Sequence, residues 1–146
     1  CNSFKQEILV EGHNFTNGTD AFKLALFTSS ATLSKSTTAY TAPADGTATP
    51  TNTHEVSSTS TGYTTGGNAL TSTTPVLSGD TACCKFADTS FTSASFTARG
   101  CLIYNSTNAN KAVCAINFGA DKTVTSGTFT IQFPAQTAGN AIIQIA

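Results

Sequence analysis

The amino-acid sequence predicts an all-β fold, namely an antiparallel β-sandwich of jelly-roll or immunoglobulin-like type with a short N-terminal helix and one long loop. Threonine, whose β-branched side chain favours strands, is the commonest residue. Short apolar runs alternate with turn residues along most of the chain. A length of 146 residues suits a single domain, which we assign to residues 1–146.

A short helix is predicted at the N-terminus. Residues 3–6 have the form of a capping box, with the serine as N-cap, and Gly12 can end the helix. One side of this helix would carry three apolar residues, Phe4, Ile8 and Leu9. Because so short a helix is not stable alone, we expect this side to dock on the sheet or on a neighbouring subunit.

The strand signals follow the helix at short intervals. We predict strands at residues 22–27, 52–56, 69–77, 81–87, 93–104, 112–118, 128–133 and 141–145. The strands at 93–104 and 112–118 form a hairpin around a polar turn at 105–111. Both faces of this hairpin are apolar, so we expect the domain core to cover one face and a partner to cover the other.

A long region rich in Thr, Ser, Ala, Pro and Gly spans residues 29–67. Pro43 and Pro50 preclude an interior strand there. The region has little charge, so docking on a neighbouring subunit explains it at least as well as disorder does. Pro43, Pro50 and Tyr63 are therefore candidate interface residues.

The composition argues against several classes of function. Charged residues make up only 10% of the chain and the net charge is −1, so we expect no binding to nucleic acid. No apolar stretch is long enough for a bilayer, and we expect no membrane partner. Such a neutral surface suits packing into an assembly.

The chain offers no motif for catalysis, a metal or a cofactor. No histidine lies at ligand spacing from a cysteine, no two carboxylates are marked as partners, and no serine lies on a nucleophile elbow. We therefore expect no catalytic residue, no metal site and no cofactor.

Arg99 and the pair Cys101 and Cys114 each allow two interpretations. Arg99, the only arginine, lies in a strand, where it can rest along its own sheet or pair with groups of another subunit. If the hairpin turn is centred between residues 107 and 108, Cys101 and Cys114 lie opposite each other. They would then be two small buried side chains or, as the weaker alternative, a disulfide.

Four segments resemble, in order, a family of small structural proteins of tailed bacteriophages: NSFKQEIL at 2–9, FKLALFTSSATL at 22–33, GYTTGGNAL at 62–70 and TARGCLIYN at 97–105. Residues 42–51 look like an added stretch. The resemblance implies a protein of the virion, assembled in the host cytoplasm, with no enzyme activity and no cofactor.

Residue pattern and resemblance together favour a capsid decoration, or cement, protein. Such a protein would bind the major capsid protein or other virion proteins as a symmetric homo-oligomer, with a trimer favoured. The alternatives are a tail or tail-fibre component that is structural or receptor-binding, then a cell-surface or filament subunit, and last an enzyme.

Overall fold

The computed structural model describes residues 1–41 and 54–146, and this part of the chain forms two antiparallel sheets. The elements in chain order are α1 (Asn2–Glu7), a 3-10 helix (Ile8–Val10), β1 (Phe22–Phe27), β2 (Asn68–Leu70), β3 (Val76–Ser78), β4 (Thr81–Cys84), β5 (Thr89–Asn105), β6 (Lys111–Ile131) and β7 (Ile143–Ile145). The larger sheet has the order β2-β1-β5-β6 and the smaller sheet has the order β3-β4-β7.

The N-terminal helix is present, but its details differ from the prediction. Its N-cap is Cys1, and the Ser3 hydroxyl is buried without a hydrogen-bond partner among the described residues, so the capping box was wrong. Phe4 and Ile8 pack on the core as predicted. Leu9 does not, because it lies in the following 3-10 turn and is 83% exposed.

The β5–β6 hairpin is confirmed and is longer than predicted. The sequence suggests a break between residues 118 and 128, whereas β6 runs through this stretch. Ala98 pairs with Lys122 and Gly100 with Asn117, so β6 has a bulge opposite Arg99. A second bulge follows near residues 125–126. Bulges absorb extra residues without ending a strand, which is why turn-like residues did not mark a strand end here.

Two of the shorter strand predictions need correction. The predicted strand 69–77 is two separate strands, β2 and β3, because the chain between them leaves the large sheet. Residues 54–56 contribute only an isolated bridge between Glu55 and Phe27, and the rest of the predicted strand 52–56 lies outside the described residues. Predicted strand β1 has the observed bounds, and its turn-rich flanks explain why.

The core consists of two apolar clusters on opposite faces of the β1–β5 pair. The larger cluster lies towards the small sheet, where the Phe22 and Phe86 rings are 5.4 Å apart. The smaller cluster includes Phe27, Leu102 and Tyr104. Tyr40 covers this second face by stacking on Tyr104 at 4.4 Å between ring centroids. The expectation that a partner covers this face is therefore wrong, since the chain covers it itself.

Candidate interaction surface

The outer edge of β6 is covered only at its beginning. Ala39 forms a bridge with Lys111, and the amino group of Cys1 donates a hydrogen bond to the Val113 carbonyl at 3.1 Å. Beyond this point, no strand among residues 1–41 and 54–146 pairs with that edge. The second half of β6 is therefore open along one side.

The face of β6 that points towards the small sheet is apolar and only partly covered. It borders a groove of about 730 Å³ whose other wall is the chain just after β6. We define the β6 groove by its apolar lining residues, which are Ile116, Phe118, Phe129, Ile131, Phe133 and Ile142. Period-two alternation at residues 129, 131 and 133 was a signal for these residues, although nothing in the residue order shows that the face stays open.

Hydrogen bonds to side chains fix the second wall of the groove. The Asp88 carboxylate accepts a bond from the Phe133 amide at 2.9 Å, just beyond the end of β6. The Gln136 amide then donates to the carbonyl oxygens of Thr74 at 2.8 Å and Cys83 at 3.1 Å. These bonds hold residues 133–136 against the small sheet and away from β6, so the two walls stay apart.

The groove carries one cation without a carboxylate partner. Arg99 donates from Nε to the Asp121 carboxylate at 2.8 Å, so these two charges offset each other. Of the two interpretations of Arg99, pairing within its own sheet describes this structure. Lys122 lines the groove beside Asp121 and forms no ion pair with any described residue. The groove therefore combines an apolar lining with one unpaired positive charge.

The open edge of β6 is guarded against the addition of another strand. Both bulges interrupt the regular ladder, and Lys122 lies opposite the buried Ala98, so it shares the inward face. Bulges and inward-pointing charges are devices that protect sheet edges from pairing with other chains. These features disfavour pairing of another strand along the backbone edge and leave the side-chain groove as the open part of β6.

Two further apolar surfaces are exposed. The first is the N-terminal corner, which we define as Leu9, Val10 and Glu11; Leu9 is 83% and Val10 is 69% exposed. The second is the small-sheet row, in which Leu77, Ala82 and Ile145 lie in register across β3, β4 and β7. In this row Leu77 is 76% and Ile145 is 55% exposed.

A buried polar network, missed from the sequence, joins residues 54–67 to the large sheet. The Glu55 carboxylate accepts hydrogen bonds from the Tyr40 hydroxyl at 2.9 Å, the Tyr63 hydroxyl at 2.6 Å and the Gly66 amide at 2.7 Å. The Tyr104 hydroxyl donates to the Gly66 carbonyl at 2.8 Å. All three tyrosines of the chain thus gather around one carboxylate. A lone acidic residue within an uncharged stretch was the available signal.

The same network raises the pKa of each tyrosine. Burial is the largest cause, and the negative charge of Glu55 adds to it, so the pKa values of Tyr40 and Tyr63 lie far above the usual range. The pKa of Tyr104 rises to about 12 for the same two reasons. These hydroxyls therefore remain protonated donors, and the network acts as a structural clamp.

A second polar network ties the N-terminal region to the hairpin turn. The side-chain amide of Asn105 donates to Asp20 at 2.7 Å and lies 3.2 Å from Nδ1 of the buried His13. Because Nδ1 must accept in this arrangement, Nε2 carries the proton that is donated to Glu7 at 2.9 Å. No nucleophile takes part, so we interpret this network as structural.

The cysteine register differs from the prediction. Cys101 pairs with Ile116 and Cys114 pairs with Ile103, so the two cysteines are diagonal neighbours instead of direct partners. The turn is centred on Asn108, since Asn105 pairs with Lys111, and a shift near Tyr104, which the sequence does not reveal, moves the register by one more residue. All five cysteines are free thiols. Burial raises the pKa of Cys114 to about 11 and that of Cys101 above the usual range, which keeps both thiols protonated.

The remaining predicted interface residues differ in burial. Tyr63 is 3% exposed, so it is a core residue in this fold and not a surface contact. Phe4 and Ile8 are half-buried against the domain itself. Pro43 and Pro50 lie outside the described residues.

Comparisons with known proteins add no assignment. No family model, no curated protein and no solved structure matches the chain. Within residues 1–41 and 54–146, no group of three or more His, Cys, Asp or Glu side chains is placed to hold a metal ion. In the same residues, no helix has the length and apolar character needed to cross a bilayer.

Proposed function

We propose that this chain is a non-enzymatic structural protein of a phage virion, most specifically a decoration protein that binds the outside of the head. In this role it would bridge major capsid subunits as a homo-oligomer. The observation that carries the proposal is that one nearly neutral domain exposes three separate apolar surfaces: the β6 groove, the N-terminal corner and the small-sheet row.

Several contact surfaces suit bridging better than they suit catalysis. A protein that joins subunits must contact at least two neighbours, whereas an enzyme needs one site with convergent polar groups. The two polar networks of this chain hold the fold together and lie away from the β6 groove lining. Large exposed apolar surfaces on a soluble domain commonly mark sites of protein association.

The proposal includes the arrangement of the two sheets as a β-sandwich, of jelly-roll or immunoglobulin-like type. Shared core residues support it, because the larger apolar cluster contains Phe22 from β1, Phe91 from β5 and Cys84 from β4. Two sheets that share a core in this way commonly pack as the layers of a sandwich.

Head stabilisation would follow from mass action. A protein that binds the assembled shell, and not its separated subunits, stabilises the assembled state by an amount that grows with its concentration and affinity. We assign contact with the shell to the small-sheet row, because Leu77 and Ile145 form a flat, open strand surface.

The test uses virions that encode this chain and a deletion strain that lacks it. Purified protein added to the deficient heads should bind the head surface and raise the temperature at which packaged DNA is released. Leu77→Asp should lower the number of bound copies, because it places a charge on the apolar contact. Binding of the wild-type protein to tails, or to neither heads nor tails, would contradict the proposal.

A further inference from the structure

The N-terminal corner projects from the domain because of its backbone. Ile8 is half-buried, and the 3-10 turn that follows directs Leu9 and Val10 outwards. Glu11 has a left-handed conformation with φ of 57°, which turns the chain back towards the core at Gly12. Glu11 is exposed and forms no ion pair with any described residue. The corner is thus an apolar projection with a free carboxylate.

The β6 groove has the complementary features. Its lining is apolar, with Phe118, Phe129 and Ile131 on one wall and Ile142 on the other. Its free charge is the cation of Lys122, because Arg99 offsets Asp121. One copy of the chain therefore carries an apolar projection with a negative charge and an apolar groove with a positive charge.

We propose that the N-terminal corner of one copy docks in the β6 groove of a second copy. Leu9 and Val10 would lie against the apolar lining, and Glu11 would pair with Lys122 of the neighbour. The contact joins two different surfaces, so each pair leaves one corner and one groove open. Repetition closes into a ring, such as the expected trimer, if the rotation between copies permits it.

Other occupants of the groove fit the structure less well. An added strand would meet the two bulges and the inward-pointing Lys122. The small-sheet row is also apolar, but it is a flat strand surface and not a projection that enters a groove. The N-terminal corner combines projection, apolar side chains and the required charge.

The contact is small, so its affinity should be low. Standard interfaces bury about 800 Å² on each partner, and a corner of three residues covers much less. We expect reversible association with a dissociation constant in the micromolar range. On a capsid, neighbouring copies are held close together and the effective concentration rises. Only this last step rests on the proposed function, because association in solution does not require a virion.

The experiment is a charge exchange between corner and groove, followed by sedimentation equilibrium of the purified chain at concentrations up to about 1 mM. Lys122→Glu alone and Glu11→Lys alone should each weaken association roughly tenfold, since like charges then face each other. The double variant Glu11→Lys with Lys122→Glu should restore it. Leu9→Asp should weaken association by more than about a hundredfold.

Leu77→Asp is the matched control, because Leu77 is nearly as exposed as Leu9 but lies in the small-sheet row. It should leave self-association unchanged and reduce binding to heads. A wild-type chain that stays monomeric up to about 1 mM would overturn the inference, as would a double variant that associates no better than the single variants. Circular dichroism of each variant checks that the fold is kept. Failure of head binding with intact self-association would instead contradict the virion role.

Discussion

Removal of the Glu55 carboxylate should strongly destabilise the fold. Glu55 accepts three hydrogen bonds, from Tyr40, Tyr63 and Gly66. In Glu55→Ala the two hydroxyls and the amide lose this acceptor, and the Tyr63 hydroxyl is buried. A hydrogen bond to a charged group contributes about 1.5–3 kcal/mol, and water can replace part of this because Glu55 itself is half-buried. We expect a loss of about 3–5 kcal/mol in the free energy of unfolding.

Glu55→Gln should be milder, because the amide keeps one acceptor and the tyrosine hydroxyls can accept from its NH₂ group. We expect a loss of about 1–2 kcal/mol. The neutral side chain should also lower the pKa values of Tyr40 and Tyr63, since the Glu55 charge contributes to raising both.

Urea unfolding followed by far-ultraviolet circular dichroism is the assay, because the chain has no tryptophan. Glu11→Ala is the matched control, as Glu11 is an exposed glutamate without an ion pair among the described residues. This variant should change the stability by less than about 0.5 kcal/mol. A loss below about 1 kcal/mol in Glu55→Ala would refute the clamp and would mean that packing alone holds residues 54–67.

Two other predictions concern the helix and the pH dependence of stability. Phe4→Ala should lower the free energy of unfolding in urea by about 2–3 kcal/mol, less than for a fully buried phenylalanine, because Phe4 is only half-buried. Leu9→Ala should have almost no effect, because Leu9 is exposed. Equal losses in the two variants would contradict this prediction. Burial raises the pKa values of Cys84 and Cys114 to about 11 and that of Tyr104 to about 12, so the fold favours the protonated groups. Stability should therefore hold below about pH 9 and fall as the pH rises towards 12, and an alkaline melting series with unchanged midpoints would contradict it.

Local sequence patterns were sufficient to predict a strand when the residues of that strand and its flanks mark its start and end. In strand β1 (Phe22–Phe27), successive side chains point to opposite faces and nearly all of them are apolar. Polar turns bound the strand, so its limits were predictable. The hairpin turn was also predictable. Its register was not, because the turn centre at Asn108 and the shift beside Tyr104 both depend on how β5 and β6 pair and leave no mark in the residue order.

Long-range packing explains the other differences. Both faces of β5 are apolar, but the sequence alone could not show that Tyr40, 64 positions before Tyr104, would cover one of them. Similarly, Phe129 reads as a core residue, and only the separation of the β6 groove walls shows that its face stays partly open. Such features depend on tertiary contacts, and residue pattern constrains these much less than it constrains single strands.

The most direct test of the central claim is cryo-electron microscopy of purified virions that encode this chain. The account predicts density for the two-sheet domain on the outer surface of the head, at threefold or quasi-threefold positions, with the small-sheet row towards the major capsid protein. Neighbouring copies should meet through the N-terminal corner and the β6 groove. Density for the chain on the tail, or virions without it, would contradict the account.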